Sequence, residues 1–145
     1  MKNIDMPDGK THDKISTFTA PVVAIVTYLV CKDIKTTAII LFAYIFASFM
    51  FNGDLDCNSK PFNRWWVFKI VWIPYQMMFN HRSIFTHGII IGTVVRILYL
   101  GLIPVIIITL KGNFDYTYLT TPTILTILIG LELGSAVHSI SDYLS

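Results

Sequence analysis

The stretch HRSIFTHG, residues 81 to 88, holds His81 and His87, two of the chain's four histidines. The others are His12, in MPDGKTHD, and His138, in HSISD, where Asp142 follows four positions later. Asp54 and Asp56 form a further group in NGDLDCN. Imidazoles and carboxylates are nitrogen and oxygen donors that suit zinc, with iron and manganese as further choices. Each group taken alone also has a plainer reading. On a helix His138 and Asp142 share one side at contact distance, as a metal pair or a simple surface pair would. Gly53 permits a tight turn; Asp54 and Asp56 project together if the backbone between them is extended, and a solvated loop fits as well. His81 and His87 would stand about 240° apart on one continuous helix. They converge only if a turn falls between them, with Ser83 or Thr86 capping the helix that follows; otherwise they are two polar residues at a boundary.

The elements that must position these residues follow from composition. Apolar residues make up 54% of the 145 and charged residues 14%, against roughly 25% charge in soluble domains. So few charges cannot cover a water-exposed surface, and the chain reads as an all-α integral membrane protein, a single helical domain over 1–145. Four apolar segments carry it: FTAPVVAIVTYLVC (18–31), TTAIILFAYIFASFMF (36–51), residues 88–110, and about 119–137. A span needs about 20 residues, so the first two just reach across as a hairpin. Between the second and third, Trp65, Trp66, Trp72 and Tyr75 alternate with Arg64 and Lys69 over 61–79. That mixture predicts an interfacial amphipathic helix at headgroup level, bent at Pro74, with a fifth short span as the alternative.

Four spans return both termini to one face. The N-terminal arm, the loop over 52–87 and the C-terminus then carry Lys2, Lys10, Lys14, Lys60, Arg64, Lys69 and Arg82, whereas the opposite loops carry Lys32, Lys35 and Lys111. The excess of cations predicts a cytoplasmic location for that face, in a bacterial inner membrane. All four histidines and Asp54, Asp56 and Asp142 fall on it, and together they make a nitrogen–oxygen ligand set for a divalent metal. Arg96 and Glu132 lie roughly 9–12 Å below the same surface at 1.5 Å per residue, and intramembrane charges need partners; an Arg96–Glu132 ion pair is expected. Gly88 with Gly92, and Gly130 with Gly134, give small faces for close helix approach. Eleven Lys/Arg against nine Asp/Glu, with no basic tract, leave nucleic acid without an electrostatic footprint. Cys31 and Cys57 have no paired-motif spacing, and the polar start lacks the apolar core of a signal peptide, so no cleaved leader is expected.

The ordered set MPDGKTHD, GDLD, HRSIFTHG and GLELGSAVHSISD resembles a family of bacterial, often cyanobacterial, membrane proteins described as metal-binding. That family looks related to the YdjM-like, LexA-regulated inner-membrane hydrolases and, more remotely, is similar to the all-helical zinc-dependent phospholipase C and single-strand nuclease superfamily. The resemblance covers nearly the whole chain and implies His12, Asp54, Asp56, His81, His87, His138 and Asp142 as metal ligands. It also implies Met6 as the family-like start. The YdjM-like pattern has Pro before the first Asp of its DxD pair where this chain has Gly53. The expected function is a metal-dependent, zinc-type hydrolase acting on a phosphoester or lipid headgroup at the cytoplasmic surface. Asp54 or Asp56 would orient water and Arg82 would hold the anionic group; membrane lipids are the expected partners. The alternative is a non-enzymatic structural metal site. Ion transport ranks below both, because its ligands belong near the bilayer midplane.

Overall fold

The computed structural model describes the backbone over residues 9–111 and 121–144 and side chains over 11–103 and 121–143. Lys2 and Met6 lie outside the described residues, as do the side chains of Lys10 and Lys111. The described elements are helical: α1 (Gly9–Cys31), α2 (Ile34–Met50), α3 (Lys60–Arg64), α4 (Trp72–Met78), α5 (Ile84–His87), α6 (Ile91–Lys111) and α7 (Thr121–Leu144), with 3-10 turns at Gly53–Asp56 and Trp66–Val71. Three of them, Thr11–Cys31, Ile34–Asp56 and Thr121–Tyr143, are long and apolar enough to cross a membrane, and Ile91–Ile103 is a shorter apolar helix.

The bundle is built around α2. Its buried residues Thr37, Ile40, Ala43, Tyr44, Ala47 and Ser48 recur at helical spacing, which makes one small, mixed stripe. Onto that stripe α7 lays Gly130 and Gly134. A Cβ at Gly130 would stand 2.6 Å from both the Ala43 Cβ and the Ile40 carbonyl, and one at Gly134 would collide with the Tyr44 carbonyl. The glycine face thus serves close approach, with α2 as its partner. On the other side of α2, the Tyr44 hydroxyl bonds Thr19 Oγ1 and the Ser16 carbonyl of α1.

The expected interfacial helix over 61–79 is not one helix. The chain breaks at Trp66, which takes a left-handed φ of 49°, and not at Pro74. Pro74 sits in the first turn of α4, where a missing N–H costs no intrahelical bond. Trp72 and Tyr75 also do not face outward: both are fully buried, in a core with Ala47, Phe51, Leu55 and Phe62. The Trp72 ring stacks on Tyr99 at 5.8 Å and meets Phe51 and Trp65 edge-on at 5.9 and 5.2 Å. Aromatic side chains bury the largest apolar areas of any residue, and four rings within reach outweigh the headgroup preference of one. Among these aromatics only Trp66 is largely exposed, at 77%.

Arg96 overturns a second expectation. It is completely buried, but its Nη1 donates to the Thr86 carbonyl at 2.6 Å and its Nη2 to Thr93 Oγ1 and Ser135 Oγ. Phe51 offers its ring 5.5 Å away. Glu132 instead accepts from the Ile90 N–H at 2.8 Å, where Ile90 holds a φ of 68°. Equal depth placed the two charges at one level, while the rotation of α6 turned them to different neighbours.

Candidate metal centre

Four segments end at the same place: the start of α1, the turn after α2, the 81–87 stretch and the last turns of α7. The turn after α2 is fixed by its own polar groups. Asn52 donates to the Ser48 carbonyl and accepts from Asp54 N–H. Gln76 of α4 donates to the carbonyls of Leu55 and Cys57 at 3.0 and 2.9 Å, and Ser59 Oγ donates to the Asp54 carbonyl. Gly53 then lies flat against His87: a Cβ there would be 2.7–2.9 Å from three atoms of the imidazole. This close approach is a physical reason for glycine at this position. A turn does fall between His81 and His87, at Asn80–Ser83, with Arg82 at a φ of 60°. The two rings stand edge to face, 5.6 Å apart. Ser83 takes the N-cap position of α5 but makes no side-chain capping bond.

The distances sort the seven candidate residues into two layers. In the inner one, His87 Nε2 lies 3.4 Å from Asp54 Oδ1 and 3.5 Å from Asp142 Oδ2. His138 Nε2 lies 3.4 Å from the same Asp54 oxygen and 3.3 Å from the same Asp142 oxygen. The four donor atoms are all within 4.8 Å of one another. Good N–H···O bonds fall at about 2.7–3.2 Å, shorter than any of these. A tetrahedron with metal–ligand bonds of about 2.1 Å has edges of about 3.4 Å, which is what the four separations match.

The outer layer surrounds the inner one, and its contacts have ordinary hydrogen-bond length except for the 3.5 Å approach of Asp56 to His87. His12 Nε2 reaches Asp142 Oδ1 at 3.1 Å. Asp56, whose side chain is wholly buried, meets His81 Nδ1 at 2.7 Å, accepts from Arg82 N–H at 3.1 Å, and lies 3.5 Å from His87 Nδ1. Thr86 Oγ1 also approaches that His87 nitrogen, at 3.0 Å. Such contacts set the tautomer and orientation of a metal-binding imidazole.

Burial makes this arrangement costly unless something fills it. His138 is 1% exposed, and neither of its ring nitrogens makes a hydrogen bond among the described residues; His12 Nδ1 is in the same condition. A buried polar atom without a partner costs roughly 1–3 kcal/mol. The donor set, its spacing and the unpartnered His138 Nε2 fit a divalent cation. Burial alone would lower the His87 pKa, but hydrogen bonds and charge from Asp54 and Asp56 prevail and push it up to about 9. Cys57 is a residue that the sequence reading did not place here. With Asp56 and His81 it forms a second close group, but burial and the charges of Asp54 and Asp56 push its thiol up to about 12, which keeps it protonated. Its position one residue past the DxD pair was the available signal.

The centre opens into a cavity of about 300 Å³ lined by Arg82, His87, Ser139, Asp142 and Tyr143. Ser139 and Tyr143 were also not anticipated, though each adjoins a ligand candidate in HSISDY. The Arg82 side chain is exposed, and its guanidinium has no acceptor among the described residues. Asp54 remains partly exposed at 20%, whereas the Asp56 oxygens are taken up by its neighbours.

Comparison with known proteins bears on the metal. An uncharacterized protein of Aquifex aeolicus (strain VF5) is 40% identical over 58 residues, which cover 39% of this chain and only 40% of that relative's length. No solved structure matches. The family model described as "Uncharacterized metal-binding protein (DUF2227)" matches residues 7–145, nearly the whole chain, and this protein belongs to that family.

Proposed function

We propose that Asp54, His87, His138 and Asp142 hold one divalent metal ion, with zinc fitting the set best, in a membrane-embedded hydrolase of phosphoesters. The observation that carries this reading is the set of four His–Asp separations of 3.3–3.5 Å. His12, Asp56 and His81 act as the orienting layer around it. When bound, the ion would supply an acidified water and positive charge beside a phosphoryl oxygen. Hydrolysis adds water across the P–O bond: phosphorus gains the water oxygen, the departing alcohol oxygen gains a proton, and nothing is oxidised or reduced. Arg82, exposed at the cavity mouth and without an acceptor among the described residues, pairs with the non-bridging oxygens. Asp142, which lines the cavity, and Asp54, which is partly exposed, orient the water, a role that the enclosed Asp56 does not share.

Membrane insertion is part of the proposal. His12 to Cys31 spans about 28 Å of helix, close to the thickness of a hydrocarbon core of about 30 Å. Only 11% of the apolar α1 window is buried within the protein, and Phe18, Val22, Ile25, Leu29 and Val30 are exposed. An apolar face of that extent needs lipid or a partner. The cation excess on the ligand face supports a cytoplasmic location in a bacterial inner membrane, and the resemblance to YdjM-like inner-membrane hydrolases agrees with it.

A second reading is favoured by one observation: the inner residues come from three separate segments, and His12 ties in a fourth. A metal there would staple the bundle together without catalysis. The test is metal analysis of the purified protein beside His81→Ala, His87→Ala and His138→Ala, followed by phosphodiester and phospholipid turnover with zinc, iron or manganese. Loss of metal from the His87 and His138 variants with turnover in the wild type is expected. Unchanged metal content in all three would sink the site, and full metal content without turnover would leave the structural role.

A further inference from the structure

A second cavity, of about 340 Å³, adjoins the first. It shares Arg82, His87 and Tyr143 with it, and its remaining wall is Ser83, Ile84, Gly88, Ile89 and Ile91. The two cavities make one cleft with unlike ends. At one end are Ser139, Asp142 and the candidate ligand cluster, with the Arg82 cation at the junction. At the other are Ile84, Ile89 and Ile91, which are 60%, 49% and 42% exposed. The apolar end is held open by backbone geometry. Gly88 and the left-handed Ile90 separate α5 from α6, and a Cβ at Gly88 would collide with the Ile84 carbonyl. A β-branched residue at positive φ is a rare conformation, kept here by the Ile90–Glu132 bond.

We propose that this cleft takes an anionic amphiphile from the surrounding bilayer, its phosphate-type headgroup beside Arg82 and its aliphatic chain along Ile84, Ile89 and Ile91. The proposal rests on the phosphoester reading of the metal end and narrows it to lipid substrates. Two features select the occupant. An exposed guanidinium with no acceptor among the described residues calls for an anion. The isoleucines that continue from it offer nothing to a water-soluble ester but bury a chain at about 0.8 kcal/mol per methylene.

The test uses the full-length, metal-loaded protein in phosphatidylcholine nanodiscs and a dodecylphosphonate bearing a diazirine at mid-chain, whose C–P bond resists hydrolysis. Photolabelling is expected at Ile84, Ile89 and Ile91. Unlabelled dodecylphosphonate should displace it and methylphosphonate should not. In Arg82→Gln the labelling should fall about tenfold, as expected for loss of one charged hydrogen-bonding group. Label spread evenly along the exposed flank of α1, label indifferent to Arg82→Gln, or equal competition by methylphosphonate would each overturn the proposal. Turnover measured in parallel separates the two claims. Intact labelling without turnover removes the hydrolase reading alone, and turnover of soluble phosphodiesters without labelling removes the lipid assignment alone.

Discussion

The two ends of the α1–α2 hairpin each carry aspartates, and those aspartates are used in opposite ways. At the far end Asp33 is fully exposed, and one of its oxygens accepts from Thr36 N–H and Thr36 Oγ1 at 2.7 and 2.6 Å. These bonds hold its carboxyl below the usual carboxylate range. It caps α2 and nothing more is asked of it. At the near end Asp54 Oδ1, with Asp142 Oδ2 of α7 beside it, stands 3.3–3.5 Å from the Nε2 atoms of His87 and His138, too long for good hydrogen bonds and too short for indifference. A carboxylate's distances, more than its exposure or its neighbours' identity, separate the satisfied cap at Asp33 from the ligand role proposed for Asp54 and Asp142.

Removing an inner imidazole should produce the largest effect. A structural zinc site is worth about 10–16 kcal/mol, so one ligand of four carries about 3 kcal/mol, or roughly a hundredfold or more in affinity. His138→Ala should lose metal on dialysis that leaves the wild type loaded, as read by elemental analysis. Chelation should then lower the melting temperature of the wild type and leave the variant unmoved. A variant that keeps its metal would erase the distinction between the two ends.

Acidity gives the next effect, with opposite signs in the two forms of the protein. His87 has its pKa raised to about 9 without metal. Its protonated form therefore stabilises the metal-free fold fully below about 6.5, and that contribution disappears as pH rises through 9. Metal needs the neutral ring, so affinity should rise about tenfold per pH unit up to about 9 and then level off. Thermal melts of the two forms between pH 6 and 10 would show the metal-free protein softening while the loaded one gains. Parallel curves would mean that His87 does not meet the ion.

The outer layer should matter less. Asp56→Asn keeps the shape but replaces the carboxylate that faces both His81 and His87, and such partners are worth about 10–100-fold in metal affinity. Gly53→Ala should cost roughly tenfold, because the added methyl stands 2.7 Å from the His87 ring and must push it off position. Competition titration against a chromogenic chelator measures both. An Asp56 variant that loses all metal would move Asp56 from the orienting layer to the ligands.

Much of this was legible in the residues. The helical pattern, the apolar segments and the need for a turn between His81 and His87 all follow from local periodicity, and the gathering of His12, Asp54, His87 and His138 follows from four apolar segments that alternate in direction. What was not legible depended on rotation and on distant neighbours. Gly130 and Gly134 announced a close approach without naming α2 as the partner. Depth arithmetic aligned Arg96 with Glu132, but only the packing of α5 could offer Arg96 the Thr86 carbonyl. Trp72 looked like a boundary residue because Phe51 and Tyr99, which bury it, lie 21 and 27 positions away. The division of seven candidates into inner and outer layers rests on differences of a few tenths of an ångström, which no spacing encodes.

The smallest effect is expected at Asp33, and it is the control that gives the others meaning. Asp33→Ala removes the cap at the start of α2, where the N–H of Thr36 can turn to water instead. Because the carboxyl is held low by Thr36, its contribution is fully present at neutral pH and would be lost only in acid. The substitution should slightly lower the melting temperature and leave metal content, affinity and their pH dependence at wild-type values. The turn is separated from His12 by about 28 Å of α1, well beyond the Debye length of about 8 Å at physiological salt. An effect of Asp33→Ala on metal binding would require α2 to carry strain along its length to the Asn52–Asp54 turn, and the two ends would then be one mechanical unit.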